Sequence, residues 1–226
     1  MCCRYTLKDL AAAVAGFYEQ LSEGLADAAW SPRYNIAISQ RVPAIVRRRG
    51  RAELASLAFG LPPPPRSPGD KPAVLPNARA DTLLTRPTFR EAAAWRRCLV
   101  PADGFYEWEK QGRARLPHYF TLKDRRPFFF AGIWQAGADD TPESFAIVTT
   151  GPNPLLAAIH DRMPVMLGPN SGPAWLGDEP LAPARLAQLC RPLRADLMTG
   201  HRVDSRVNRV RYEAPDCIEP VNGFFD

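Results

Sequence analysis

The second residue, Cys2, joins a thiol to what becomes a free α-amine once Met1 is trimmed, the usual outcome when the next side chain is small. That pair reacts with aldehydes: the amine condenses to an imine and the sulfur closes a five-membered thiazolidine ring on the same carbon. An α-amine is neutral in roughly one molecule in seven at pH 7, against about one in 2,500 for an ordinary lysine. Many chains carry a cysteine near their start, so the position needs partners to have meaning. Three polar clusters offer them: Asn77 in Pro76-Asn77-Ala78-Arg79-Ala80, Glu107 at the end of Pro101-Ala102-Asp103-Gly104-Phe105-Tyr106-Glu107-Trp108, and His160 in Ile159-His160-Asp161-Arg162-Met163-Pro164. An acid, a histidine and an amide converging on an N-terminal cysteine supply proton transfer and a hydrogen bond to a substrate oxygen. Glu107 lies between Tyr106 and Trp108, where burial would raise its pKa and make it a proton donor as well as an acceptor. It fits a solvent-facing strand residue equally well. His160 is also readable as a capping or core histidine, and Asp161 and Arg162 receive no role in the chemistry.

The elements that must position these residues read as follows. Leu7, Leu10, Val14, Phe17 and Leu21 recur at three- and four-residue steps behind a Thr6/Asp9 capping pair, which predicts an amphipathic helix. Val42–Val46 and Leu54–Phe59 read as strands joined through the arginine-rich turn around Gly50. His118–Leu122 and Pro127–Trp134 read as a hairpin turning at Lys123–Arg126, and Ser144–Thr150 as a further strand. Pro154–His160 and Leu181–Leu189 suit short helices, while Val203–Val210 and the closing Val221–Phe225 are ambiguous. Pro62–Pro65 and the following Arg66–Asp70 can form neither helix nor central strand and are expected to be an exposed loop. Strands dominate without a regular βαβ rhythm, so the expected class is α+β.

At 226 residues and 46% hydrophobic, the chain suffices for one well-buried core, and a single domain over 1–226 is expected. No apolar run approaches the ~20 residues of a membrane span and no secretory signal opens the chain, so a cytoplasmic location is expected. Five cysteines without CxxC spacing indicate neither a disulfide framework nor a structural metal, and Cys98, Cys190 and Cys217 read as small core residues. The net charge of +5 is carried almost wholly by arginine, since lysine occurs only at Lys8, Lys71, Lys110 and Lys123. Arginine suits phosphate contacts, which makes this charge permissive for nucleic acid without being diagnostic.

Taken together, Cys2-Cys3-Arg4-Tyr5, Pro32–Ala37, Asn77-Ala78-Arg79, the Arg96–Trp108 block RRCLVPADGFYEW, Phe130–Trp134 and Ile159–Val165 resemble the SOS response-associated peptidase family. The blocks run in that family's order from residue 2 to about 167, with a weaker echo at Val207-Asn208. The resemblance implies an α+β domain with a β-rich, barrel-like, mainly antiparallel core and flanking helices. It also implies a protein that binds single-stranded DNA as a monomer, without cofactor or metal, and is associated with the nucleoid when bound. Such a protein captures abasic sites as a thiazolidine, shielding the lesion. By motif, the nucleophile falls on Cys2, the polar active-site set on Asn77, Glu107 and His160, and DNA-backbone contacts on Arg4 and Arg79. The peptidase name implies self-processing that releases Met1.

The sequence departs from the family at three places. Cys3 stands where glycine is usual; in extended backbone its side chain would face away from the pocket served by Cys2 and be inert. The stretch after Asn35-Ile36-Ala37 continues as Ile38-Ser39-Gln40 and loses a proline, and a tryptophan-bearing element appears as Phe59-Gly60-Leu61-Pro62-Pro63. Two other functions fit the same residues: a cysteine hydrolase acting on external peptides through Cys2, and a non-covalent single-strand binding module.

Overall fold

In the computed structural model the described residues are 3–15, 30–63, 73–137, 142–168 and 170–221. Strands β1 (Arg4–Leu7) and β2 (Arg33–Ala37) are followed by β3 (Arg41–Arg48) and β4 (Arg51–Phe59). The last two form a hairpin whose turn residues, Arg49 and Gly50, have φ of 51° and 76°. Positive φ at both central positions matches the right-handed twist of the strands, which is why a glycine sits there. Strands β5 (Asn77–Arg79), β6 (Arg97–Ala102), β7 (Gly104–Gln111), β8 (Ala114–Leu122), β9 (Phe128–Gln135) and β10 (Ser144–Thr150) follow. The short β11 (Met163–Pro164) and β12 (Met166–Leu167) and finally β13 (Met198–Arg202) complete the strands.

Pairings β3–β4, β3–β6, β6–β9, β9–β10 and β10–β4 close a ring of five strands, antiparallel except for β10–β4. Strands β6, β9 and β10 are buried along nearly their whole length, as their uninterrupted apolar sequences require. A second sheet, in the order β13-β8-β7-β1-β2, is antiparallel throughout. It packs on the barrel through aromatic edges: Tyr5 of β1 and Phe105 of β7 lie 5.6 and 6.0 Å from Phe130 of β9. Helices α1 (Leu10–Ala15), α2 (Pro87–Trp95), α3 (Pro154–Ala157), α4 (Ser171–Trp175) and α5 (Pro183–Leu189) are short. The fold is α+β with one mixed and one antiparallel sheet, and Cys98, Cys190 and Cys217 are all buried as small core residues.

Two expectations need correction. His118–Leu122 and Pro127–Trp134 are strands but not a hairpin: β8 pairs with β7 and β13, whereas β9 pairs with β6, β10 and β12. The Lys123–Arg126 turn carries the chain from one sheet to the other. The real hairpin is β7–β8, turning at Gly112-Arg113. Leu7 pairs with Arg33 as a strand residue, so the helix begins only at Leu10. Its apolar spacing coincided with the helical step, yet the ladder with β2 claims it. Phe17, Leu21, most of the Pro62–Asp70 loop and residues after Val221 lie outside the described residues.

Candidate active site and nucleic-acid interface

Strand β1 enters the second sheet between β7 and the edge strand β2, with Cys3 just before it, and this entry is tied down by Asp103. The Asp103 carboxylate accepts from Thr6 Oγ1 and from the Lys8 backbone amide, both at 2.5 Å, and its own amide donates to Thr6 O at 3.0 Å. Tyr119 Oη lies 3.0 Å from Thr6 Oγ1, in a space that only Gly104 leaves open. A Cβ at Gly104 would fall 2.0 Å from that hydroxyl. The Asp103-Gly104 dipeptide between β6 and β7 therefore fixes where the start of the chain lies.

Cys2 itself lies outside the described residues; its covalent neighbour Cys3 is described. Cys3 is half-buried, and its Sγ donates to Asn77 Oδ1 at 3.9 Å, long even for a sulfur donor. Burial pushes the Cys3 thiol pKa up, and the charge of Glu107 adds to it. The thiol at position 3 thus faces two of the residues singled out for the chemistry, contrary to the expectation that it faces away. Strand pairing begins at Arg4, one residue too late for strict alternation to apply to Cys3.

Glu107 comes from β7 and is 1% exposed. Burial raises its carboxyl to about 7, so the strand reading with a solvent-facing side chain is excluded. His160 follows α3, whose Pro154 sits in the first turn and whose Asn153 caps Leu156 N. Its Nδ1 lies 3.0 Å from the Arg162 backbone N and 2.9 Å from Asp161 Oδ1. The amide is a fixed donor while the Asp161 side chain is almost fully exposed and free to turn, so we assign Nδ1 as acceptor and the proton to Nε2. Burial lowers the pKa of this imidazole, favouring the neutral ring.

Glu107 and His160 line one open cleft of about 490 Å³ with Arg4, Trp108, Lys110, Arg115 and Asn208. Asn77, on β5, reaches the same region through Cys3. Arg4 is held inside it: Nη1 donates to Asn35 Oδ1 and Val207 O at 2.7 Å each, Nη2 reaches Asn208 O at 3.3 Å, and the guanidinium lies 5.9 Å from the Trp108 ring centre. Arg79 is exposed and engages both oxygens of Asp81, at 3.1 and 2.6 Å. Asp81 also stands 3.7 Å from Arg162, which donates to Thr149 O. Arg4 therefore lines the cleft with internal partners in place, whereas Arg79, two residues beyond Asn77 on β5, is not among the cleft's lining residues. Sequence reasoning did not single out Lys110 and Arg115, which line the cleft. Asn208, which accepts from Trp108 Nε1 at 2.6 Å, was audible only as the echo at Val207-Asn208.

Residues 1–210 match the family described as SOS response associated peptidase (SRAP). The chain is 34% identical over 226 residues to the abasic site processing protein YoqW of Bacillus subtilis, covering 97% of this chain and 99% of that protein. It is 31% identical over 196 residues to the abasic site processing protein YedK of Escherichia coli, covering 84% of this chain and 85% of that one. Among solved structures, a protein from Bacteroides thetaiotaomicron superposes with a TM-score of 0.81 at 27% identity, over 98% of this chain and all of that one.

Proposed function

This chain belongs to the SOS response associated peptidase family, and from that membership we propose that it binds single-stranded DNA and captures the aldehyde of a ring-opened abasic site on Cys2 after Met1 is removed. The observation that carries the reading is a buried Glu107 with a pKa of about 7 sharing a cleft with His160, at the point where the start of the chain enters the fold.

The chemistry is a condensation. The α-amine of Cys2 adds to the aldehyde carbon to give a carbinolamine, water leaves to give the imine, and Sγ adds to the imine carbon as its proton passes to nitrogen. One water is lost in total. Glu107 takes a proton from the α-amine and returns one to the departing hydroxyl, two tasks that suit a group with a pKa near the working pH. His160 presents Nε2–H to the sugar ring oxygen and promotes ring opening. Asn77 hydrogen-bonds the substrate and holds the cysteine end. Carrying amine and thiol on one residue makes the second addition intramolecular, an advantage of roughly 10⁵ M or more in effective concentration in favourable cases.

The test is direct. The purified protein is incubated with single-stranded DNA bearing one abasic site, denatured, and resolved by electrophoresis; a slower-migrating protein–DNA band is expected, and its absence would end this reading. The band should vanish for Cys2→Ala and for intact DNA. The family's name favours a second reading, a thiol hydrolase acting on external peptides, which predicts multiple turnover of a peptide and no stable DNA adduct.

A further inference from the structure

The hairpin that brings Glu107 to the cleft runs on past it. In the β7–β8 register Trp108 stands opposite Pro117 and Lys110 opposite Arg115, so by strand alternation Trp108, Lys110 and Arg115 share one face. Lys110 and Arg115 are exposed, and both line the cleft that holds Glu107 and His160. Lys110 is close enough for its charge to act on the imidazole, where it reinforces the effect of burial.

Two like charges directly opposite on neighbouring strands repel and destabilise the pair. Some exposed cations elsewhere have a carboxylate beside them, as Arg126 has Asp124, Arg206 has Asp204 and Arg33 has Glu213, and the cross-strand pair Arg48–Arg51 is relieved by Glu53 and Glu143 on Arg48. Among the described residues, neither Lys110 nor Arg115 makes an ion pair. The nearest acid on the hairpin, Glu109, is engaged instead with His118 Nε2 at 3.1 Å. Lys110 and Arg115 stand opposite one another at the rim of the cleft that holds Glu107 and His160, where a phosphodiester would relieve their repulsion.

We propose that Lys110 and Arg115 form a two-cation rail that takes backbone phosphates of the DNA strand flanking the nucleotide held over Glu107 and His160. The proposal rests on the DNA-capture reading above and adds to it a contact that fixes the path of the strand beyond the lesion. Phosphate contacts position the strand without reading sequence, so the rail sets affinity and register and leaves base preference unchanged.

The experiment uses the full chain and a fluorescent single-stranded oligonucleotide with intact bases, titrated by anisotropy over a range of salt concentrations. For Lys110→Ala/Arg115→Ala the plot of log affinity against log salt should be shallower than wild type by about 1.4, from two phosphates at about 0.7 each on single strands. With abasic DNA, the concentration giving half-maximal crosslinking should rise. Arg125→Ala, in the turn beyond the opposite end of β8, should keep the wild-type slope. Lys110→Glu/Arg115→Glu, melting like wild type, should bind more weakly still. A slope unchanged in the double alanine variant, while the wild-type protein crosslinks normally, overturns the rail alone. A wild-type protein that forms no adduct, yet loses slope in the variant, overturns the capture chemistry and leaves the rail standing.

Discussion

Glu107 is removed from water, and this has measurable consequences. Its folded pKa of about 7 lies above the 4.5 of an ordinary glutamate, so ionisation is opposed in the folded state. The sign follows: its contribution favours folding fully below pH 4.5 and is lost as the pH rises through about 7, where the folded protein holds a buried carboxylate. Glu107→Gln is therefore expected to raise the melting temperature at pH 8, by a free-energy gain of up to about 3 kcal/mol, and to show no gain below pH 4.5. The same variant should slow crosslinking by about a hundredfold or more, and the wild-type rate should climb with pH through about 7 as the carboxylate forms. A stabilised variant that crosslinks at the wild-type rate would remove Glu107 from the proton route. The aromatic neighbours of this residue left burial and a solvent-facing strand position equally open, and the fold decides for burial. The direction of Cys3 was not legible either, because alternation is a property of paired strand and pairing starts one residue later. Its thiol contact with Asn77 implies that Cys3→Gly lowers the crosslinking rate, by no more than about fivefold for one weak hydrogen bond, and that Cys3→Ser restores it. Single-turnover rates at saturating DNA make the comparison.

Among the elements, β1 has the most demanding task, since a four-residue strand must hold the segment that follows Cys3 in register. It does so between β2 and β7, with the Asp103 carboxylate bonded to Thr6 Oγ1 and to the Lys8 amide. Asp103→Ala would leave a buried hydroxyl and an amide without their acceptor, and should cost roughly 2–4 kcal/mol in urea-induced unfolding. Crosslinking at low temperature, where the variant is folded, should also slow, because β1 loses its anchor. An unfolding midpoint equal to wild type would show that the Thr6–Asp103–Tyr119 cluster contributes nothing. The strands themselves were easy to find where apolar residues ran together, as in β9 and β10, and where an arginine–glycine turn separated them, as between β3 and β4. Their partners were harder. The Lys123–Arg126 turn has the chemistry of a hairpin loop, but β8 is held on one edge by seven cross-strand pairs to β7, across the tighter Gly112-Arg113 turn, and on the other by five long-range pairs to β13, so neither edge is left for β9. Asp103 itself stood inside a recognisable motif, yet nothing in its spacing disclosed that Thr6, nearly a hundred residues earlier, was its partner.

At the scale of the whole molecule, the cleft is completed by a segment from the far end of the chain. Residues 204–218 contain two 3₁₀ turns, Ser205–Asn208 and Pro215–Ile218, and lie against β2. Asn35 donates from Nδ2 to the carbonyls of Val207, Arg209 and Tyr212, while Glu213 accepts from the amides of Tyr34 and Asn35 and from the Arg33 guanidinium. This clasp sets Asn208 against the Trp108 indole and supplies two carbonyls to Arg4. Sequence patterns faded near residue 167 because a segment without long apolar runs or regular periodicity offers almost no local signal; its order comes from side chains of a strand far away in sequence. Removing the Glu213 carboxylate should therefore act at a distance. In Glu213→Ala the Tyr34 and Asn35 amides lose their acceptor, at a cost of about 1–3 kcal/mol each in so far as they stay buried. Amide exchange should rise across residues 205–212 while the barrel strands keep wild-type protection. Because Asn208 and the Arg4 carbonyl partners move with that segment, crosslinking should slow in parallel, although Glu213 itself does not line the cleft. Faster exchange with unchanged crosslinking would mean that the cleft works without its C-terminal wall. Unchanged exchange would mean that Asn35 alone holds the clasp.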